Sequence, residues 1–222
     1  MPRQPRIDVG GLIYHVLNRG NGRQELFFKP ADYDAFLKVL REGTERYPVD
    51  VLALCLMPNH WHLVLRPRED AALSGYMRWV GVTHVRRHHQ HNATAAGGHL
   101  YQGRYKSFVV QDDRHFLLVC RYVESNASRA GLAAKAEYWR WSSASAERGE
   151  HWPPLAEWPV PAPRNWSAIL NRDLEPEEAK LVQQSLVRGR PLGEEAWVNR
   201  IAKRFDLAST LRPIGRPRKT TP

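Results

Sequence analysis

Two rhythms of apolar and polar residues alternate along this chain. Nearly unbroken apolar runs at 11–17 and 49–56, and another closing on Val64-Leu65, predict buried strands. The second and third of these join at Pro58-Asn59, a short turn. Between the first and second, Pro30-Ala31-Asp32 opens a helix whose apolar residues Tyr33, Phe36, Leu37 and Leu40 recur at helical spacing. Pro67-Arg68-Glu69-Asp70 turns the chain into a second helix, with Leu73, Met77, Val80 and His84 on one face. A small-residue loop at 93–98 leads to a fourth strand over 100–110, where alternation sets Arg104 and Lys106 against Tyr105. Asp112-Asp113-Arg114 caps a third helix running through Phe116, Leu117, Cys120 and Tyr122 toward Arg129, with Gly131 closing it.

The order strand, helix, strand, strand, helix, strand, helix predicts an α+β fold. Its first six elements spell a ferredoxin-like (split βαβ) unit, an antiparallel sheet with helices on one face, and a C-terminal helical extension follows. Residues 1–149 form the sheet domain. At 150–174 the texture changes to a linker in which Pro153, Pro154, Pro159, Pro161 and Pro163 alternate with Trp152, Trp158 and Trp166. Exposed tryptophans are costly, so this linker is expected to pack against something. Residues 175–222 hold two short helices, 175–187 and 194–205, and a basic tail expected to be disordered when free.

Composition narrows the partners. A formal charge of +10 and a pI near 9.9 point to a polyanion, with nucleic acid the first choice. Arginine carries most of that charge, and its planar fork suits phosphate. Cys55 and Cys120 lie inside apolar segments and read as buried thiols of a reducing compartment. With a polar N-terminus and no apolar stretch near the ~20 residues that span a bilayer, the expectation is a cytoplasmic protein without membrane contact.

The candidate chemistry starts at His60-Trp61-His62. Side chains alternate along a strand, so both imidazoles share a face and Trp61 anchors the other. The pair is either a metal clamp or a polar strand face. Tyr122 and Asn126 are four apart and project from one face of the third helix. Asn126 offers a hard carbonyl oxygen, and two imidazoles plus one amide make an uncharged site for Mg²⁺ or Mn²⁺ that a phosphate oxygen would complete. Tyr122 would be the nucleophile. Few free phenols are ionised at neutral pH, so a nearby cation or base is expected to assist it.

Several basic groups could hold the backbone of a nucleic acid. Arg19 and Arg23 sit in the Gly/Asn turn Asn18-Arg19-Gly20-Asn21-Gly22-Arg23, either a phosphate-gripping loop or a plain turn. Arg86 and Arg87 form a basic ridge among histidines, and Arg104 and Lys106 share a strand face. Arg188 and Arg190 in Arg188-Gly189-Arg190-Pro191 read as a minor-groove hook or a helix-ending turn. Arg216, Arg218 and Lys219 read as a phosphate-binding tail.

Taken together, the motif Met57-Pro58-Asn59-His60-Trp61-His62-Leu63 resembles that of the single-tyrosine HUH transposases. More narrowly, the chain resembles the REP-associated tyrosine transposases of bacteria. The likeness continues in His15-Val16-Leu17-Asn18-Arg19-Gly20, Gln102-Gly103-Arg104-Tyr105-Lys106-Ser107 and Tyr122-Val123-Glu124-Ser125-Asn126. It extends through Arg129-Ala130-Gly131-Leu132, Tyr138-Trp139-Arg140-Trp141-Ser142-Ser143 and Arg188-Gly189-Arg190-Pro191-Leu192-Gly193. The resemblance implies metal-dependent cleavage and rejoining of single-stranded DNA at hairpin-forming palindromic repeats, by a monomer or homodimer, through a 5′-phosphotyrosine intermediate. It implies His60, His62 and Asn126 as metal ligands and Tyr122 as nucleophile. Relatives commonly carry proline after that asparagine. Here Ala127 follows, so nothing obliges the helix to break. The alternative is a ferredoxin-like nucleic-acid-binding protein or repressor without catalysis, and a zinc hydrolase would need a carboxylate base that no motif supplies.

Overall fold

The apolar strands assemble as a four-stranded antiparallel sheet in the order β2-β3-β1-β4, in a computed structural model that describes residues 6–92 and 98–212. The strands are β1 (Ile13–Arg19), β2 (Val49–Met57), β3 (His60–Pro67) and β4 (Lys106–Val110). Helices α1 (Pro30–Thr44) and α2 (Ala72–Asn92) pack on one face, over Tyr14, Val16, Leu54, Leu56, Trp61, Leu63 and Val109. That is the ferredoxin-like arrangement the element order calls for.

The helices that follow these six elements take the other face. α3 (Arg114–Glu124) and α6 (Pro176–Arg188) cover the other side, over Ile13, Ala53, Cys55, Met57, Val64, Phe108 and Val110. The reason lies in the strands. All nine residues of β2 are buried, which a sheet solvated on one side would not tolerate. The fourth strand is also shorter than alternation suggested, since 100–105 loops past the end of β1. Asn21 N donates to the Leu100 carbonyl there, and Gln102 N to that of Arg19. Gly20 is required in this turn, because a Cβ would meet the Gln24 carbonyl oxygen at 2.2 Å.

Both outer strands are covered. Along β2, Leu56 N donates to the Trp141 carbonyl, Ser143 N to that of Leu54, and Ala156 N to that of Val51. The Pro/Trp-rich stretch does pack, as expected. Trp158 donates its indole N–H to the Leu52 carbonyl at 2.8 Å, and Trp166 donates to Glu124 at 2.7 Å from a short helix, α5 (Trp166–Leu170). Along β4, Leu192 N donates to the Val109 carbonyl and Gln111 N to that of Leu192. Unpaired edge strands invite aggregation, so these segments complete the sheet.

α6 ends at Gly189, which takes the left-handed conformation (φ 67°) that favours glycine. The stretch 188–193 is therefore a helix stop laid on the sheet edge. α7 (Glu195–Arg204) and α8 (Ala208–Leu211) finish the described chain, around a small core of Ile201, Ala202 and Leu207. Among the described residues, no helix is long and apolar enough to cross a membrane.

Candidate active site

The side of the sheet facing α3 carries the candidate chemistry. Cross-strand register sets Arg19 of β1 opposite His60 of β3, and Leu17 opposite both His62 and Lys106. Because side chains alternate, His15, Leu17, Arg19, His60, His62 and Lys106 share this face. Trp61 faces the other way, wholly buried, and donates its indole N–H to the Tyr101 hydroxyl at 3.0 Å. Its neighbours on the strand are held in place by that anchor.

α3 brings the rest. Asp113 caps it by accepting from His115 N, and Phe116, Val119, Cys120 and Val123 bury one face on the sheet. Tyr122 then meets His62 edge to face, with ring centroids 5.8 Å apart. The helix does break after Glu124, even without proline. Ser125 donates its hydroxyl back to the Arg121 carbonyl at 2.7 Å, and a new turn, α4 (Asn126–Arg129), begins. Such back-bonding by serine bends helices, so Ser125 supplies the break. The Asn126 amide nitrogen lies 3.4 Å from His62 Nε2, and the same amide bonds to the His60 ring.

Electrostatics keeps both imidazoles neutral. Burial first and the Arg19 charge second push His60 down to about 4. Burial, then His15, His60, Arg129 and Arg19, hold His62 well below the usual imidazole range. A neutral ring has a free lone pair, which metal ligation demands. The donor set of two such rings and an amide therefore fits a hard or borderline divalent cation.

A cleft of about 440 Å³ opens beside the tyrosine, lined by Arg19, Arg104, Lys106 and Tyr122, with Gln183 and Leu186 of α6 on its far wall. Among the described residues, the Arg19 Nε is buried there without a partner. A desolvated guanidinium N–H is costly unless something anionic accepts it.

Other basic candidates lie elsewhere. Arg23 is exposed in a 3-10 turn, where its carbonyl accepts from the Asn59 amide at 3.3 Å. Arg86 and Arg87 belong to α2, on the opposite face of the sheet, and Arg87 is paired with Glu42 at 2.7 Å. His84 on that helix is a core residue, with Nδ1 2.5 Å from the Tyr101 hydroxyl, and burial pushes it down to about 3. Arg188 donates to the Ser209 carbonyl at 3.2 Å, and Arg190 is half-buried beside the sheet edge. Arg216, Arg218 and Lys219 lie outside the described residues, as does most of the 93–98 loop.

Two contributors escaped the sequence reading of the site. His15 lies beneath His62, Nε2 to Nδ1 at 2.9 Å. Arg129 lies over the Tyr122 ring, its guanidinium carbon 4.3 Å from the centroid, and donates to the Tyr122 carbonyl at 3.1 Å. Seven residues, two helical turns, separate Arg129 from Tyr122, and that spacing was the available signal. A separate trio, Asp113, His115 and Glu194, has ligand atoms within 4.8 Å of one another at the start of α3. Its groups are already engaged: Asp113 holds His115 at 2.8 Å, and Glu194 pairs with Arg114 at 2.6 Å.

Comparison with known proteins bears on the family and the fold. No curated protein sequence matches the chain. Among solved structures it is similar to a REP-associated tyrosine transposase bound to a REP hairpin, at 18% identity and a TM-score of 0.52, covering 64% of this chain and 82% of that one. It is also similar to a transposase-like protein from Deinococcus radiodurans R1, at 19% identity and a TM-score of 0.41, covering 53% of this chain and 93% of the other. The model of the IS200-like transposases matches residues 8–126, from the approach to β1 through Asn126. Over half of the sequence thus falls within one family pattern, and the chain belongs to the IS200-like transposases, enzymes of DNA transposition.

Proposed function

We propose that this transposase cuts and rejoins single-stranded DNA at hairpin-forming repeats, with Tyr122 as nucleophile and a divalent cation at His60, His62 and Asn126. One observation carries the reading: Tyr122 lines the same cleft as the cations Arg19, Arg104 and Lys106, and its ring lies against His62 of the neutral imidazole pair. The likeness in fold to a transposase holding a REP hairpin supports hairpin DNA as the substrate class.

In this mechanism Arg19, Arg104 and Lys106 seat the backbone of the strand and bring a phosphodiester to Tyr122. The phenolic oxygen attacks phosphorus as its proton passes to solvent water in the cleft. A tyrosine–phosphate bond forms, the bond to the 3′ oxygen breaks, and that oxygen takes up a proton to leave as a 3′-hydroxyl. The 5′ phosphate stays on the enzyme, so the bond energy is kept for rejoining. Mg²⁺ or Mn²⁺, when bound, would polarise the phosphoryl oxygen and offset the charge that builds on the leaving group. Arg129, stacked on the ring, holds the phenol in place and contributes positive charge beside it.

The test is covalent capture of a labelled single-stranded hairpin by the full-length protein. Wild type is expected to form a denaturation-resistant adduct that requires Mg²⁺ or Mn²⁺ and disappears with chelator. Tyr122→Phe is expected to bind the hairpin but form none, and His60→Ala or His62→Ala to lose cleavage. An adduct persisting in Tyr122→Phe would sink the assignment. Binding without any adduct in the wild type would leave a DNA-holding protein.

A further inference from the structure

We propose that His15 and Asn59 are positioning residues that fix which nitrogen of each metal-site histidine carries the proton, so that Nε2 of both rings is left as a lone pair. The inference rests on the proposed metal site and deepens it.

The argument is one of donors and acceptors. Asn59 donates its amide N–H to the Arg23 carbonyl at 3.3 Å, which turns its carbonyl oxygen toward His60 Nδ1, 2.6 Å away. A carbonyl oxygen only accepts, so Nδ1 of His60 carries the proton and Nε2 is left as a lone pair. His62 follows the same logic. Its Nε2 faces the amide nitrogen of Asn126, a donor, at 3.4 Å. Nδ1 must then hold the proton and give it to His15 Nε2, 2.9 Å away. The two chains of bonds are independent, yet they leave the same atom of each ring open.

His15 would otherwise be hard to explain. It is wholly buried, packed with ring centroids 5.0 Å from both Phe108 and His62. As acceptor at Nε2 it carries its own proton on Nδ1, and that atom is buried with no partner among the described residues. A core built for stability alone would place an apolar side chain there, since an orphaned N–H is costly. The group is on β1, diagonal to His62 across the sheet, and its polar contact with His62 points at the site. Partners of this kind set tautomer and ring orientation in metal sites, and losing one typically weakens metal binding about 10- to 100-fold.

The test uses full-length, DNA-free protein. First, ¹⁵N NMR of the histidine rings in the metal-free wild type reads the tautomers directly. Protonated Nδ1 in both His60 and His62 is expected, and protonated Nε2 in either would overturn the proposal whatever the variants do. Second, Mn²⁺ is titrated and followed by electron paramagnetic resonance. His15→Leu and Asn59→Ala are expected to weaken Mn²⁺ about 10- to 100-fold. His15→Gln and Asn59→Asp, which restore an acceptor, should recover most of it, and His15→Leu should melt no lower than wild type. Unchanged Mn²⁺ affinity in a folded His15→Leu, or failure of His15→Gln to recover any, would overturn it. Neither readout involves cleavage. Absence of a DNA adduct alongside the expected tautomers and Mn²⁺ affinities would sink the transesterase reading alone.

Discussion

His60 reaches the site neutral because burial and Arg19 together oppose its protonation, and that has a consequence for acid stability. Its value of about 4 in the fold lies below the ordinary 6.5, as do those of the core residues His15 and His84, each about 3. The unfolded chain therefore binds more protons than the native one between these limits. Stability is fully present above about pH 6.5 and is lost as pH falls toward 4, at up to ~1.4 kcal/mol per pH unit for each group. Melting temperatures of the metal-free protein should fall over this window, and a flat profile would show that these rings protonate freely in the fold. Arg129 has a catalytic consequence. It sits over the phenol with one N–H anchored on the Tyr122 carbonyl. Losing such a preorganised cation should slow covalent attachment on the order of 10²-fold in Arg129→Ala, with hairpin affinity changing far less. Single-turnover rates at saturating hairpin separate the two, and an equal loss in both would make Arg129 a binding residue only. The four residues nearest the proposed chemistry could be read from sequence because alternation and helical spacing each fix a face. His15 could not, since a histidine inside an apolar strand reads as core until register sets it diagonal to His62.

Elements show where local pattern runs out. The strands, α1, α2, α3, α6 and α7 follow from periodicity and punctuation, but β4 begins only at Lys106 and α3 already ends at Glu124, where hydrogen bonding prevails over composition. That α3 and α6 cover the other face does not follow, because an apolar run buried on both sides has no period to read. The break after Glu124 was also hidden. The sequence offers no proline there, and the serine that makes the break acts through a single side-chain bond. Glu124 itself joins three elements. Its carboxylate accepts from Ser143 at 2.6 Å and from the Trp166 indole at 2.7 Å, tying α3 to the segment along β2 and to α5. Burial pushes this carboxyl up, and the two bonds only partly offset that. A raised acid contributes its stability at low pH and loses it as pH rises from the ordinary 4.5 through its folded value. Glu124→Gln can keep one bond as acceptor and give an N–H to Ser143, so it should fold and lose that pH dependence. Glu124→Leu leaves the indole N–H buried without a partner, a loss of about 1–3 kcal/mol by urea melt. Equal stability in the two variants would show that these bonds do not hold α5.

At the scale of the whole molecule the question is how +10 of charge is divided between chemistry and capture. The cations facing Tyr122, namely Arg19, Arg104 and Lys106, are on one side of the sheet, while Arg86 and Arg87 ride on α2 across it. A strand seated in the cleft cannot touch α2 without rounding an edge that other segments already cover. The sequence adds Arg216, Arg218 and Lys219 at its end, three charges placed after the last catalytic element. If they grip phosphate, they add to capture without touching the reaction. About six contacts to a single strand give a slope near −4 for log affinity against log salt, and removing three should flatten it by about 2. A chain ending at residue 212 is therefore expected to bind the hairpin more weakly at low salt, with a shallower slope. Its adduct should form at an unchanged rate once the DNA is saturating. Fluorescence anisotropy across a salt series measures the first quantity and adduct formation the second. An unchanged slope would mean the tail makes no phosphate contact, and the cleft alone would then account for the hold on DNA.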